Sequence, residues 1–365
     1  MKIVHFKVGN GNCCVVEASD FVMAVDLHGN GEESSFELVS SHFRKKDDKD
    51  CLDVLVVTHG DRDHCGGYKD FQDAMDKGEL VIGKIIHQGY DRTNDEDDES
   101  CSDDYECLQK EINSREKVKD PTFGDLVGEP KAGDKVVEVM RGLTYPSDML
   151  FDVLSPVDGD DEDSEYDVND VSLVFRLDFD HLDGLLFAGD SSSKYWQEKI
   201  IPHLTEGAAE SKYLLASHHG SYSFFGEDRD EVREADPYPD NYEALDKIQS
   251  KELIVSANSK FPTSRDQSGD QPPHYAAYKW YHQWYEDNRN VKNKKVDPHP
   301  KSWHYTSDGN ICLEKDGKNW KLDNDWSLQK AQSKNAQKLG AAHKVGALSG
   351  GLGVPKTRYY ASRTF

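Results

Sequence analysis

The run Thr58-His59-Gly60-Asp61-Arg62-Asp63-His64-Cys65-Gly66-Gly67 constrains the fold more than any other stretch of this chain. It follows Leu52-Asp53-Val54-Leu55-Val56-Val57, a short apolar, β-branched run that reads as a buried strand. The pattern predicts a tight polar loop at the carboxyl end of a core strand, where open α/β sheets place their chemistry. A single His or Asp there would be explained as a cap for the next helix. Two imidazoles and two carboxylates within six residues exceed what capping needs and suit a pair of divalent cations. His59 and Asp61 can face one cation while Asp63 and His64 face its neighbour.

The spacing His-x-Asp-x-Asp-His-x-Gly-Gly resembles the metal-binding signature of metallo-β-lactamase-fold hydrolases. With Thr58 in front, it looks most like the ComEC-type competence-protein branch, which has Asp where the wider superfamily has a second His. Other segments follow in the order this resemblance requires. Val8-Gly9-Asn10-Gly11-Asn12-Cys13-Cys14-Val15-Val16 is similar to the family's glycine turn between its first two strands. Met23-Ala24-Val25-Asp26-Leu27-His28-Gly29 is similar to its strand-Asp element, which makes Asp26 a support for the metal loop rather than a ligand. Gly184-Leu185-Leu186-Phe187-Ala188-Gly189-Asp190-Ser191 is an apolar strand ending in Gly-Asp, and the resemblance implies that Asp190 bridges both metals. Tyr213-Leu214-Leu215-Ala216-Ser217-His218-His219-Gly220-Ser221 resembles the branch's strand-His-His-Gly-Ser element. One of the two His would complete the second metal's shell. His218, the first off the strand, is favoured, with His219 left open.

Two departures matter. The segment Asp152-Val153-Leu154-Ser155-Pro156-Val157-Asp158 stands where the superfamily carries another His, and it has none. The branch also lacks that His and carries an Asn-x-x-Ser element, seen here from Asn169 to Ser172. The first metal is left with His59, Asp61 and Asp190. Oxygen ligands in place of imidazole favour Mn²⁺ or Mg²⁺, whereas affinity order favours Zn²⁺ over Mn²⁺, so the metal's identity stays open.

Past the second half-site, Leu253-Ile254-Val255-Ser256-Ala257-Asn258-Ser259 reads as a strand, and Gln271-Pro272-Pro273-His274-Tyr275 resembles the branch's His-Pro element before a helix. That helix is predicted over 276–287, with Trp280, Tyr281, Trp284 and Tyr285 forming a stripe read as core. Residues 303–311 and 313–317 read as a closing hairpin with Asp-Gly turns. The expected architecture is α/β: a four-layer αβ/βα metallo-β-lactamase sandwich over residues 1–322, followed by a tail over 323–365.

Composition bears on the remaining questions. Seven cysteines, odd in number and scattered, do not make a disulfide framework. Cys65 is assigned to packing, and Cys13 and Cys14 point to opposite faces of a strand. No apolar run approaches the ~20 residues a membrane span requires, and the N-terminal segment is too short for a signal peptide. A cytoplasmic protein without membrane contact is expected, so the resemblance is to the hydrolase domain and not to the channel fused to it in the competence protein. The formal net charge of −25 argues against a simple polyanion-binding face. Much of it is local, in acidic insertions near 91–106 and 158–170 that read as solvated loops. The tail reverses the sign: after Asp325 it carries Lys330, Lys334, Lys338, Lys344, Lys356, Arg358 and Arg363, no acidic residue, and much Gly, Ala and Ser. It is a linker, a docking peptide for a protein partner or nucleic acid, or a segment that folds back on the acidic body.

Two divalent ions sharing a water would make a hydroxide nucleophile for a phosphorus or carbonyl centre. Asp63 would double as proton acceptor, His219 and Ser221 would contact a substrate oxygen, and His274 would serve as the acid for the leaving group. The leading expectation is a metal-dependent phosphodiesterase, most plainly a nuclease acting on nucleic acid. The alternatives are a small-molecule hydrolase for a cyclic nucleotide, phosphoester or lactone, and a metal-bearing interaction protein that depends on a partner. Fold alone does not choose among them.

Overall fold

In the computed structural model, the described residues are 1–89, 103–118, 126–157, 166–180, 184–288, 300–316 and 319–323. All of them lie in one compact unit, Met1–Asp323. The basic tail lies outside the described residues, as do most of both acidic insertions.

Among the described residues, fifteen strands follow in chain order: β1 (Lys2–His5), β2 (Cys13–Ala18), β3 (Phe21–Leu27), β4 (Arg44–Lys46), β5 (Lys49–Val57), β6 (Leu80–His87), β7 (Val127–Gly128), β8 (Met149–Ser155), β9 (Val174–Phe179), β10 (Leu185–Phe187), β11 (Tyr213–Leu215), β12 (Glu252–Val255), β13 (Trp303–Tyr305), β14 (Ile311–Asp316) and β15 (Asn319–Leu322). They form two sheets. The first runs β15-β14-β1-β2-β3-β5-β6-β7, with β4 also on β5; the second runs β13-β12-β11-β10-β9-β8.

Side-chain alternation sets the layers, because successive residues of a strand face opposite sides. Val54 and Val56 of β5 enter one core with Leu185 and Phe187 of β10, Leu215 of β11 and Ile254 of β12, so this core lies between the sheets. Leu186, Leu214, Leu253 and Val255 point the other way, into a second core with Trp280, Tyr281 and Trp284 of the helix Tyr275–Asn288. That aromatic stripe is core, as expected from its spacing. Trp280 Nε1 donates to Val232 O (2.6 Å) and Trp284 Nε1 to Asp246 Oδ1 (2.8 Å), so both indoles are satisfied. Helices Ser35–Ser40 and Tyr68–Asp76 cover the first sheet, joined by Phe36 against Phe71 at 5.1 Å between ring centroids. Helix, sheet, sheet, helix is the four-layer αβ/βα sandwich that the metallo-β-lactamase resemblance implies.

Within each sheet, the strands that matter run parallel: β3, β5 and β6 in one, β10, β11 and β12 in the other. Their carboxyl ends therefore gather along one rim of each sheet. The chain segments leaving those ends carry the loop at 58–67, Asp190 and the His pair.

One expectation is corrected. Residues 303–311 and 313–317 do not pair with each other. Trp303–Tyr305 joins β12 in the second sheet, while Ile311–Asp316 pairs with β1 and β15 in the first. The reason is facial: Trp303 packs among the helix aromatics, whereas Ile311 and Leu313 enter the core between the sheets. Most of the acidic insertions lie outside the described residues, and their flanks are built into the fold. Residues 103–106 open the helix Asp103–Glu116, in which Tyr105 is buried, and Tyr166 and Val168 are buried as well. No helix among the described residues is long and apolar enough to cross a membrane.

His5 of β1 is buried and stacks on Phe187 of β10 across the sandwich, 5.9 Å between ring centroids. Burial pushes its pKa down to about 4. The unfolded chain can then bind a proton near pH 6.5 that the folded chain refuses, so this site takes stability away as pH falls. Between pH 7 and 4.5 the expected loss is on the order of 3 kcal/mol, at about 1.36 kcal/mol per pKa unit. Urea unfolding of wild type and His5→Phe at both pH values checks it: the gap between them should shrink or reverse in acid.

Candidate metal centre

The loop after β5 turns at once into a four-residue helical turn, Arg62–Cys65. This turn brings His64 back beside His59, with ring centroids 4.0 Å apart. Cys65 is buried and its thiol donates to Gly60 O (3.2 Å), closing the loop from within. Gly67 is needed for a close approach, since a Cβ there would collide with Ser35 Oγ and the Leu27 carbonyl. Gly60 lies under the Tyr105 ring, whose Cε2 would sit 2.6 Å from a Cβ at that position.

Opposite the loop, Asp190 follows β10 and is only 3% exposed. Its Oδ1 lies 3.3 Å from His64 Nε2. Its Oδ2 lies 3.9 Å from His59 Nε2 and 3.7 Å from both His218 Nε2 and His219 Nε2. Asp61 Oδ2 stands 3.8 Å from His59 Nε2, and Asp63 Oδ2 stands 3.2 Å from His219 Nε2. Asp63, His64, Asp190 and His219 present ligand atoms all within 4.8 Å of one another, a set able to hold a metal ion. His59, Asp63, His64 and His218 thus gather around Asp190 together with His219, and Asp61 stands beside His59.

The buried tips carry the test of fit. His59 Nε2, His64 Nε2 and Asp190 Oδ1 are buried without a hydrogen-bond partner. Buried polar atoms in folded proteins are almost always satisfied; here His64 Nε2 and Asp190 Oδ1 have only each other at 3.3 Å, and His59 Nε2 has carboxylate oxygens no nearer than 3.8 Å, an arrangement that a cation would complete. An oxygen-and-imidazole donor set suits a divalent metal.

The far side of each imidazole has a partner. Asp26 accepts from Thr58 N–H (2.8 Å), from Thr58 Oγ1 (2.9 Å) and from His64 Nδ1 (2.8 Å). Ser172 Oγ accepts from Asp190 N–H (3.1 Å) and lies 3.3 Å from His59 Nδ1, tying ligands from the two sheets through one hydroxyl. His219 Nδ1 donates to Ser256 O (3.0 Å), and His218 Nδ1 lies 3.1 Å from Ser223 Oγ. Such partners fix ring orientation and leave Nε2 free to bind. The sequence marks Asp26 for this work; Ser172 lies within a recognised element but its hydroxyl has no role there. Ser223 and Ser256 carry no sequence signal.

Electrostatics follow from the crowding. Burial, aided by the nearby His64, lowers the His59 pKa to about 3, so its lone pair is available. His64 behaves oppositely: burial opposes its charge, but Asp190 and Asp26 raise its pKa well above the ordinary value. Burial likewise resists the ionised form of Asp190 and Asp63, yet facing imidazoles hold both below the usual carboxylate range.

Three further expected residues are placed as follows. His219, expected at a substrate oxygen, is 2% exposed and faces Asp63 and Asp190, a ligand's position. Ser221 Oγ accepts from Ser223 N–H (3.3 Å) and so caps the next turn. His274, expected as an acid, is buried with Nε2 donating to Asp270 O (3.1 Å) and Nδ1 accepting from Tyr222 N–H (3.4 Å). Both ring nitrogens fasten backbone. The sequence reading also passed over His28, two residues beyond Asp26, which lies close enough to Asp63 for its charge to be felt.

A second group, His87, Glu116 and Glu129, could also be read as a site. There, however, His87 Nδ1 accepts from Gly89 N–H (3.1 Å), so Nε2 keeps its proton and faces Glu129 Oε1 at 3.4 Å. A protonated nitrogen is not a ligand.

No protein-family model matches this chain, and no curated protein matches it in sequence. Solved structures do resemble it. Igni18, a metallo hydrolase from the archaeon Ignicoccus hospitalis, is 13% identical with a TM-score of 0.42, covering 87% of this chain and 100% of its own. Zn²⁺-bound PqqB from Methylobacterium extorquens is 9% identical with a TM-score of 0.41, covering 86% and 100%. The metallo-β-lactamase fold protein YhfI from Bacillus subtilis is 10% identical with a TM-score of 0.36, covering 70% and 87%. At such identities no activity passes from these proteins to this chain.

Proposed function

We propose that this chain is a metal-dependent hydrolase of the ComEC-like metallo-β-lactamase branch, a phosphodiesterase whose leading substrate is a nucleic acid strand. The observation that carries the metal-dependent part is the set of buried, unpartnered ligand atoms around Asp190. His59 and Asp61 on one side, and Asp63, His64 and His219 on the other, would hold two divalent cations with Asp190 between them. Bound there, Zn²⁺ or Mn²⁺ would lower the pKa of a shared water and neutralise charge on the reacting group.

The chain's own residues do the rest. Asp26 and Ser172 hold the imidazoles in register, so little reorganisation is needed when substrate arrives. Asp63, at the edge of the group and partly exposed, is placed to take a proton leaving the nucleophile. Leu173 N–H donates to Thr58 O (2.8 Å), which ties the start of the loop to the second sheet's side of the site.

The net charge of −25 favours a second reading, in which the substrate is a small phosphoester, cyclic nucleotide or lactone. A panel separates them: single- and double-stranded DNA, a chromogenic phosphodiester, a cyclic nucleotide and a lactone, each with Mn²⁺, Zn²⁺ or Mg²⁺ alone. Chelator-sensitive cleavage of DNA and of the chromogenic diester is expected. Turnover of the lactone alone would refute the phosphodiesterase assignment, and turnover of the cyclic nucleotide without DNA would move the protein to the second reading.

A further inference from the structure

This inference rests on the two-cation reading above. The first cation has only one imidazole in the loop, His59, because residues 152–158 hold no histidine. The second has two, His64 and His219. We infer that the adjacent pair His218-His219 is divided between the ions: His219 completes the second site, and His218 gives the first site the imidazole the chain otherwise lacks.

Backbone geometry makes the division feasible. In an extended strand, neighbouring side chains point to opposite faces, so one of two consecutive histidines would face away. Here both residues adopt the left-handed conformation, His218 at φ 46° and ψ 50°, His219 at φ 55° and ψ 24°. Non-glycine residues seldom do this singly, and such outliers cluster at functional sites. The result is that both Nε2 atoms lie 3.7 Å from the same Asp190 oxygen, with the two rings at 81° to each other.

Each ring is also anchored separately. His219 is held through Nδ1 by Ser256 O and lies against Asp63 of the second site. His218 is held by Ser223 Oγ and does not join the Asp63 group. Its backbone N–H donates to Gly189 O (3.0 Å), while Ser217 Oγ donates to Ser191 O (2.9 Å). These two bonds grip the residues on either side of Asp190, so His218 is set in register with that carboxylate. Each cation would then have two imidazoles, one carboxylate of its own and a share of Asp190. Equal donor sets call for the same ion in both places.

Metal stoichiometry of the full chain tests this without reference to turnover. The protein is stripped, loaded with Mn²⁺, and followed by calorimetric titration, elemental analysis and electron paramagnetic resonance. Wild type should take two ions with a spin-coupled spectrum. His218→Asn removes the imidazole with a residue that tolerates the left-handed backbone, and it should take one ion with an isolated Mn²⁺ spectrum. Two coupled ions in His218→Asn would overturn the division while leaving the two-cation reading intact. Fewer than two ions in wild type would overturn both. Should the variant not fold, anomalous diffraction at the Mn edge from wild-type crystals decides: one peak bonded to His218 Nε2 and another to His219 Nε2 supports the division, and any other assignment refutes it.

Discussion

Asp190→Asn is expected to abolish hydrolysis, by roughly 10³-fold or more, while the protein stays folded. Metal-assisted charge stabilisation is worth several kcal/mol, and each 1.36 kcal/mol is tenfold in rate. Asp190 is where both halves of the centre meet: one oxygen faces His64, the other faces His59, His218 and His219. The amide keeps the shape and removes the charge that draws four imidazoles to one point. Steady-state assay with the chromogenic diester, together with metal content by elemental analysis, reads both consequences. A variant that keeps wild-type turnover and metal load would end the case for Asp190 as the shared ligand.

The second large effect is expected at Asp26, which touches no substrate. Asp26→Ala strands His64 Nδ1 and both Thr58 donors in a fully buried setting. Breaking a buried charged pair by removing one partner costs about 3–5 kcal/mol. Asp26 also sits at φ 55°, which Asn accepts and Ala does not readily adopt. Asp26→Asn should therefore fold, yet bind Mn²⁺ about 10–100-fold more weakly, the usual effect of losing a partner behind a ligand. Denaturant unfolding of the Ala variant and metal titration of the Asn variant check the two halves. Unchanged affinity in Asp26→Asn would show that His64 needs no orientation from behind.

How much of this was legible in the chain depends on whether a feature is local. Strand β5 and its loop were readable because a continuous apolar run and four donor groups lie within sixteen consecutive positions, 52–67. Asp190 was readable only through the resemblance, since a lone Gly-Asp after a strand is common. The choice between His218 and His219 was not readable. It turns on two left-handed residues, and nothing in the letters His-His-Gly announces them. Residues 303–317 misled for a related reason: turn signals mark where a chain bends, and which core each side chain enters decides what pairs with what. The helix Asp103–Glu116 was hidden because its first turn is mostly acid, and only Tyr105, Leu108 and Ile112 mark its buried side with apolar or aromatic groups. His274 was assigned by likeness and released by its hydrogen bonds, since backbone partners are invisible in a sequence.

The loop's donors hang from the first sheet, whereas Asp190 and the His pair hang from the second. An ion seated among them is a rivet through the sandwich, and its binding energy belongs to the folded state alone. Heat resistance would then track ion supply: without the ion the core between the sheets would still hold the layers together, and only the stability added by the bound ion would be lost.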